Sequence, residues 1–293
     1  MTDKKLIFGE PEYQIDSIDN ADVIVLPICY EYAPSYGKGS QDGPIHILTA
    51  SEQLEFIDEE TLFNIGSLKF FTLPLFYPNQ PPPQAMDEIY NRACELLNLT
   101  QFMLALGGDH SITYGLVKAA SQVYTNLSVL QIDAHLDLRD MWNGSPYNHS
   151  CVMRRIIEDV DLPITQVGIR SIAQEEFQFL RQNQMYPIFA HDLDNDQWID
   201  TIINQLSNNV YLTVDLDGLD PSVIPGTGTP EPGGLTYRQL INLIKSVSQY
   251  KRIVASDINE LCKIPHTQVS EYTAARIASK ILVYRFSCHS AHP

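Results

Sequence analysis

Basic residues are scarce in this sequence: its 293 residues hold 19 Lys and Arg against 36 Asp and Glu, a formal charge of -17. That balance repels nucleic acid and anionic membrane surfaces, so neither is expected as a partner, and it favours cationic ligands or metals. Charged residues of both signs make up only 19% of the chain, so much of the surface is neutral polar; the 44% of apolar residues suffices for a substantial core. No Cys-X-X-Cys pair occurs, and Cys29, Cys94, Cys151, Cys262 and Cys288 are odd in number. This argues against a disulfide framework and for cysteines used as small apolar residues in a reduced, cytoplasmic protein. The first stretch, MTDKKLIFGEPEYQ, has no long apolar core, so neither a signal peptide nor a membrane anchor is expected. No internal repeat is visible. The Pro-rich FYPNQPPPQ (76–84) reads as a rigid surface turn entering a helix at 84, so a single domain over 1–293 is expected.

What the chain does have is alternation of two periodicities. Apolar runs at 22–28, 101–106, 127–133, 164–169, 186–190, 210–216 and 251–258 read as strands. Amphipathic stretches at 84–98, 111–124, 173–183, 236–248 and 271–284 read as helices. The runs lack strict alternation, as strands covered on both faces should. Strand–helix–strand repetition predicts an α/β protein with a mostly parallel central sheet between helical layers. Ligands of such sheets sit outside the carboxyl ends of the strands.

Acids and histidines gather at those ends. QIDAHLDLRD (131–140) puts Asp133, His135 and Asp137 on every second residue behind an apolar run. If the extended geometry persisted, the three would share one face about 6.5 Å apart, with Ala134 and Leu136 pointing the other way. VYLTVDLDGLDP (210–221) repeats the design with Asp215 and Asp217, while Asp220 before Pro221 reads as a turn former. QFMLALGGDHS (101–111) delivers Asp109 and His110 after two glycines that permit a tight turn. A lone histidine there would more often be structural, but three strand ends carrying metal-ligand side chains call for one explanation. Four carboxylates and two imidazoles suit hard or borderline divalent cations, and two dications match four aspartates in charge. Mn²⁺ fits best; Zn²⁺, Fe²⁺, Ni²⁺ and Co²⁺ remain compatible.

GGDHS, DAHLD and DLDGLDPSVIPGTGTPEPGG resemble the three signatures of the ureohydrolase family of arginases and agmatinases, over about residues 26–285. PICYEYAPSYGKGSQDGP (27–44) is similar to the mouth loop of the short agmatinase-like branch. The resemblance implies an arginase-like three-layer α/β/α fold and two Mn²⁺ ions per subunit. His110, Asp133, Asp137 and Asp215 would hold one ion, and Asp133, His135, Asp215 and Asp217 the other. It implies hydroxide as nucleophile, Asp137 as a proton relay and His149 of NHSCVMRR as a proton shuttle that also meets substrate. Glu260 of SDINEL would hold the substrate guanidinium through paired hydrogen bonds. A homo-oligomer, trimer or hexamer, is expected on the same ground.

Two departures stand out. EYAPSY stands where relatives commonly show a glycine and threonine after the glutamate, and Asn148 stands where a serine usually precedes the shuttle histidine. Both bear on the rim and hence on substrate. The GTGTPEPGG run lacks the third glycine of a dinucleotide fingerprint and reads as a turn-rich wall of the site. The expected reaction is hydrolysis of a small cationic guanidino compound to urea and an amine. Agmatine, giving putrescine, leads because VGIRSIAQ offers Ser171 and uncharged neighbours where arginases carry acids. N1-aminopropylagmatine, giving spermidine, is the rival; arginine and guanidinobutyrate follow. A metal-dependent deacetylase shares the fold but usually holds one zinc, against which His110 and Asp217 argue. A non-catalytic metal-binding protein is the remaining alternative.

Overall fold

All seven apolar runs form strands in the computed structural model, which describes residues 5–79, 81–97, 101–194 and 197–288. They are β1 (Val23–Pro27), β3 (Phe102–Leu106), β4 (Leu127–Ile132), β5 (Ile164–Ile169), β6 (Ile188–Phe189), β7 (Asn209–Asp215) and β8 (Arg252–Asn259). An eighth, β2 (Phe70–Thr72), has three residues, too few to show a period, and it forms by pairing with β1 at the sheet edge. The five expected helices are α2 (Pro82–Leu97), α3 (Ile112–Val123), α5 (Gln174–Gln182), α7 (Tyr237–Tyr250) and α8 (Val269–Ser287). Residue 98, the expected end of α2, and residues 1–4 lie outside the described residues. Sequence reading missed α1 (Gly43–Ser51), α4 (Val152–Arg155) and α6 (Gln197–Gln205). Each is nine residues or fewer, and such helices owe their stability to packing rather than to intrinsic pattern. The Pro-rich stretch leads into α2 two residues earlier than expected, with Pro82 at its start.

Among the described residues every strand pair is parallel, in the order β2-β1-β3-β8-β7-β4-β5-β6. Side chains alternate across the sheet. Val23 and Val25 of β1 join one buried cluster, with residues of α1, α6, α7 and α8; Ile24 and Leu26 join another, with α2, α3, α4 and α5. The layers are therefore helix, sheet, helix. Cys29, Cys151 and Cys262 are buried, and no cysteine is in a disulfide. No helix among the described residues is long and apolar enough to cross a membrane.

The strand order matters for function. β7 and β8 come last in the chain yet insert between β3 and β4. The carboxyl ends of β3, β8, β7 and β4 are therefore consecutive neighbours at one edge, and these four ends carry the suspected residues.

A buried ion cluster ties the 58–61 turn to α8. Lys280, 1% exposed, bonds Asp58 and, at 2.9 Å, Glu59. Glu60 takes Lys245 and, at 2.5 Å, the Tyr284 hydroxyl. Burial opposes the charge of Asp58, yet Lys280 and the Thr61 amide and hydroxyl hold its carboxyl below the usual range. A depressed folded value means that this stabilisation is present above the unfolded carboxylate value, about 4, and is lost as pH falls below it. Lys280→Met should cost about 3 kcal/mol at neutral pH by leaving a buried carboxylate unpaired, and should flatten the loss of stability on acidification. Urea unfolding followed from pH 7 to pH 3 measures both.

Candidate active site

Each of three strand ends turns by the same local device. Asp109 Oδ1 accepts the Ser111 N–H at 3.0 Å, Asp133 Oδ1 the His135 N–H at 2.7 Å, and Asp215 Oδ1 the Asp217 N–H at 2.9 Å. An aspartate that bonds the amide two residues on closes a tight turn. The two-residue spacing of these motifs thus reflects the turn and not a continued strand. β4 ends at Ile132, and Asp137 has φ of +53°. The extended face expected for Asp133, His135 and Asp137 is therefore corrected: they converge because the chain folds back. The left-handed Asp137 is held by its carbonyl, which accepts the Met153 and Arg154 amides at the start of α4 at 3.1 and 3.2 Å.

The folded-back chain packs three carboxylates around one ring nitrogen. His110 Nδ1 lies 2.9 Å from Asp137 Oδ2, 3.2 Å from Asp133 Oδ2 and 3.4 Å from Asp215 Oδ2. On the far side of the ring, Nε2 is 2.8 Å from Thr213 Oγ1, and that hydroxyl donates its one proton to Asp257 Oδ1 at 2.5 Å. Thr213 can then only accept from the ring, so Nε2 carries a proton and Nδ1 is the nitrogen turned toward three acids. Burial opposes the charge of the ring, but Asp133 and Asp137 outweigh it and hold the imidazole well above its usual range. Three acids on one nitrogen leave the group short of positive charge until a cation enters. A neighbouring group has the same character: His135 Nδ1 lies 3.1 Å from Asp217 Oδ2 and 3.5 Å from Asp133 Oδ1. Ligand atoms of His110, Asp133 and Asp137, and those of Asp133, His135 and Asp217, each lie within 4.8 Å of one another, with Asp133 common to both. Asp215 falls in neither group but stands beside the first. The donor set thus fits hard or borderline divalent cations.

The charge balance agrees. Burial, then Asp217 and Asp133, push Asp215 well above the carboxylate range; burial and Asp133 push Asp137 up to about 7. Burial opposes the charge on His135, but Asp217 and Asp133 outweigh it and raise the imidazole to about 12. These groups behave as an anionic cage short of positive charge.

A cavity of about 240 Å³ opens over the cage, lined by His135, Asp137, Asp215, Asp217, His149 and Glu260, and by Ser35, Tyr36, Trp142, Ser171 and Glu176. Gly228 and Thr229 of the turn-rich wall also line it. Glu260 has φ of +66° and accepts the His110 N–H on Oε1 at 2.8 Å; among the described residues Oε2 accepts no hydrogen bond. Burial and Asp109 push its carboxyl well above the usual range. Burial, then the positive His110 and His135, push His149 down to about 4. All the suspected residues thus meet in one place. Asp220 is a turn former, as expected: Oδ1 accepts the Ser222 amide at 2.9 Å and Oδ2 the Gly233 amide at 2.7 Å.

Of the supports, sequence reading picks out only Asp257 as structural and misses its partners. Asp257 accepts hydrogen bonds from Tyr211, Thr213, Thr113 and Asn259 and so fixes the His110 ring through Thr213. Gln166 donates to Gln131, which donates to Asp133 Oδ2 at 2.6 Å. The available signal was polar residues inside buried strands: Thr213, Asp257, Gln131 and Gln166 each interrupt an apolar run. Glu176 was missed too, and both its oxygens are occupied by the amides of Leu138 and Ala173.

The sequence profile described as "Arginase family" matches residues 21–285. The chain belongs to the arginase family. It is accordingly a hydrolase acting on guanidino compounds, in a family of binuclear metal-dependent enzymes. Over 279 residues it is 39% identical to the N(1)-aminopropylagmatine ureohydrolase of Synechocystis sp., covering 92% of this chain and 91% of that protein. It is 32% identical over 266 residues to the agmatinase of Pyrococcus horikoshii, covering 89% and 90%. Its fold matches the crystal structure of the agmatine ureohydrolase of Thermoplasma volcanium with a TM-score of 0.87 at 28% identity, covering 97% of this chain and 96% of that one. The arginase-family chain therefore has the arginase-like α/β fold that its motifs implied.

Adding a divalent cation at 100 times its Kd should stabilise the protein by about 2.7 kcal/mol, and a chelator should reverse the rise in melting temperature. Asp215→Asn should raise the melting temperature of the metal-free protein by about 2–4 °C, by replacing an acid whose ionisation burial, Asp217 and Asp133 all oppose, and abolish the cation-induced rise. Thermal scans with and without cation show whether the signs are opposite.

Proposed function

We propose that the chain is a single-domain ureohydrolase, 1–293, that cleaves agmatine to urea and putrescine with two Mn²⁺ ions. The observation carrying this reading is the convergence of the His and Asp cage with Glu260 and His149 around one cavity. In this reading His110, Asp133, Asp137 and Asp215 hold one ion, and Asp133, His135, Asp215 and Asp217 the other, with Asp133 and Asp215 shared. When bound, such a pair supplies hydroxide near neutral pH and stabilises the charge that develops at the reacting carbon.

The side chains do the rest. Glu260, anchored through Oε1 with Oε2 open, orients the guanidinium plane by charge-assisted hydrogen bonds. A cationic substrate also supplies the positive charge that Glu260 lacks. Asp137 relays a proton toward the departing nitrogen, and His149 exchanges it with solvent at the cavity mouth. Arginine fits less well, because Ser171 is uncharged and each oxygen of Glu176 already accepts a backbone amide, leaving the α-amine only a partly engaged carboxylate on that wall. Guanidinobutyrate would bring its carboxylate into acidic surroundings. The same reading extends to a cytoplasmic homo-oligomer, trimer or hexamer.

N1-aminopropylagmatine, giving spermidine, is the second reading. It is favoured by the 39% identity to a relative that bears that name.

Urea release from agmatine, N1-aminopropylagmatine, arginine and guanidinobutyrate in Mn²⁺ should rank the first two far above the others by kcat/KM. Glu260→Gln should lower kcat/KM for every active guanidine by about 10²-fold through loss of a buried charge pair. Elemental analysis of active enzyme should find two manganese ions per chain. Protein that holds both ions yet releases no urea from any of the four would contradict the proposal.

A further inference from the structure

His149 is held by very little. Its Nδ1 is buried without a hydrogen-bond partner, and its Nε2 lies 2.9 Å from the hydroxyl of Ser35, 114 residues away in the chain. Ser35 sits in the EYAPSY segment of the mouth loop, which is pinned on both sides of it. The Tyr32 N–H donates to the buried Asp109 carboxylate at 2.6 Å, and the Gly37 N–H donates to Gly228 O at 2.9 Å. A Cβ on Gly37 would come within 2.8 Å of the Gly228 backbone, so only glycine permits this close approach. The shuttle-histidine segment reaches back to the same loop, with Asn143 Nδ2 at 3.3 Å and Asn148 Nδ2 at 3.5 Å from the carbonyl of Ala33. EYAPSY and Asn148 therefore meet beside the cavity mouth.

We propose that Ser35 is the positioning residue of His149: the mouth loop presents its hydroxyl to Nε2 and so sets the ring orientation from which the histidine serves substrate. A hydroxyl suits the task because it donates to a bare Nε2 and accepts from a protonated one, so the ring keeps its partner in both states. A carboxylate or an ammonium would favour one state. Ser35 is itself exposed, which leaves this hydrogen bond next to solvent, where a proton-exchanging group needs it.

The inference rests on the ureohydrolase reading for its rate consequence but not for its geometry, and two measurements keep them apart. Ser35→Ala should lower kcat for the best guanidine of the panel about tenfold, a fraction of what general acid–base catalysis contributes. KM should stay within about twofold, as expected when an interaction of the chemical step is lost rather than ground-state binding. Ser35→Thr, which keeps the hydroxyl, should restore most of the rate. Independently, diethyl pyrocarbonate labelling of the Mn²⁺-loaded enzyme, resolved by peptide mass spectrometry, should modify His149 faster in Ser35→Ala than in wild type, with Ser35→Thr near wild type. An unchanged kcat, a rise in KM alone, or equal labelling of His149 in all three proteins would overturn the role of Ser35. A wild-type enzyme inactive on every guanidine would instead overturn the ureohydrolase reading, and the labelling comparison would still decide whether Ser35 holds the ring.

Discussion

One imidazole nitrogen among three carboxylates sets the terms for the rest of the molecule. Asp257 fixes the proton of Thr213, Thr213 keeps a proton on Nε2 of His110, and Nδ1 then faces Asp133, Asp137 and Asp215 within 3.4 Å. No rearrangement of protons satisfies three acids with one nitrogen. The fold tolerates this because the site is completed by divalent cations, so the local instability and the metal affinity are the same electrostatic fact seen without and with the ions.

Holding like charges together in a buried place demands a rigid frame. The sheet supplies it by placing β3, β8, β7 and β4 side by side, each ending at the same edge. The turns at the ends of β3, β4 and β7 then aim the side chains by aspartate-to-amide hydrogen bonds that cost no extra chain length. Below them a buried polar layer of Gln131, Gln166, Thr213, Tyr211 and Asp257 keeps the acids in register. Most of these polar groups orient another, although Gln166 Oε1 is left without a partner. The cavity mouth differs: there a loop from the amino-terminal part of the chain meets the segment around His149 through a few hydrogen bonds.

The elements that were hard to read share a physical cause. β2, α1, α4 and α6 are short, and their stability comes from neighbours brought by the sheet rather than from their own periodicity. The extended face expected for Asp133, His135 and Asp137 failed for a related reason. Sequence spacing of two suits both a strand and an aspartate turn, and only the left-handed backbone at Asp137 distinguishes them. The cage residues were legible because acids and histidines behind apolar runs have few uses. Their supports were not, because a threonine or glutamine in a strand reads as noise until its partner across the sheet is known.

The sequence by itself determined the class of fold, the strand ends that carry chemistry and the cation-seeking character of the site, since periodicity, residue type and charge are local properties. Only the tertiary structure decided which residues touch. Ser35 against His149, Asp257 against Thr213 behind His110, and Glu260 against the His110 amide are contacts between segments 44 to 150 positions apart. Such contacts depend on the insertion of the last two strands into the middle of the sheet, a non-local event that no window of residues encodes.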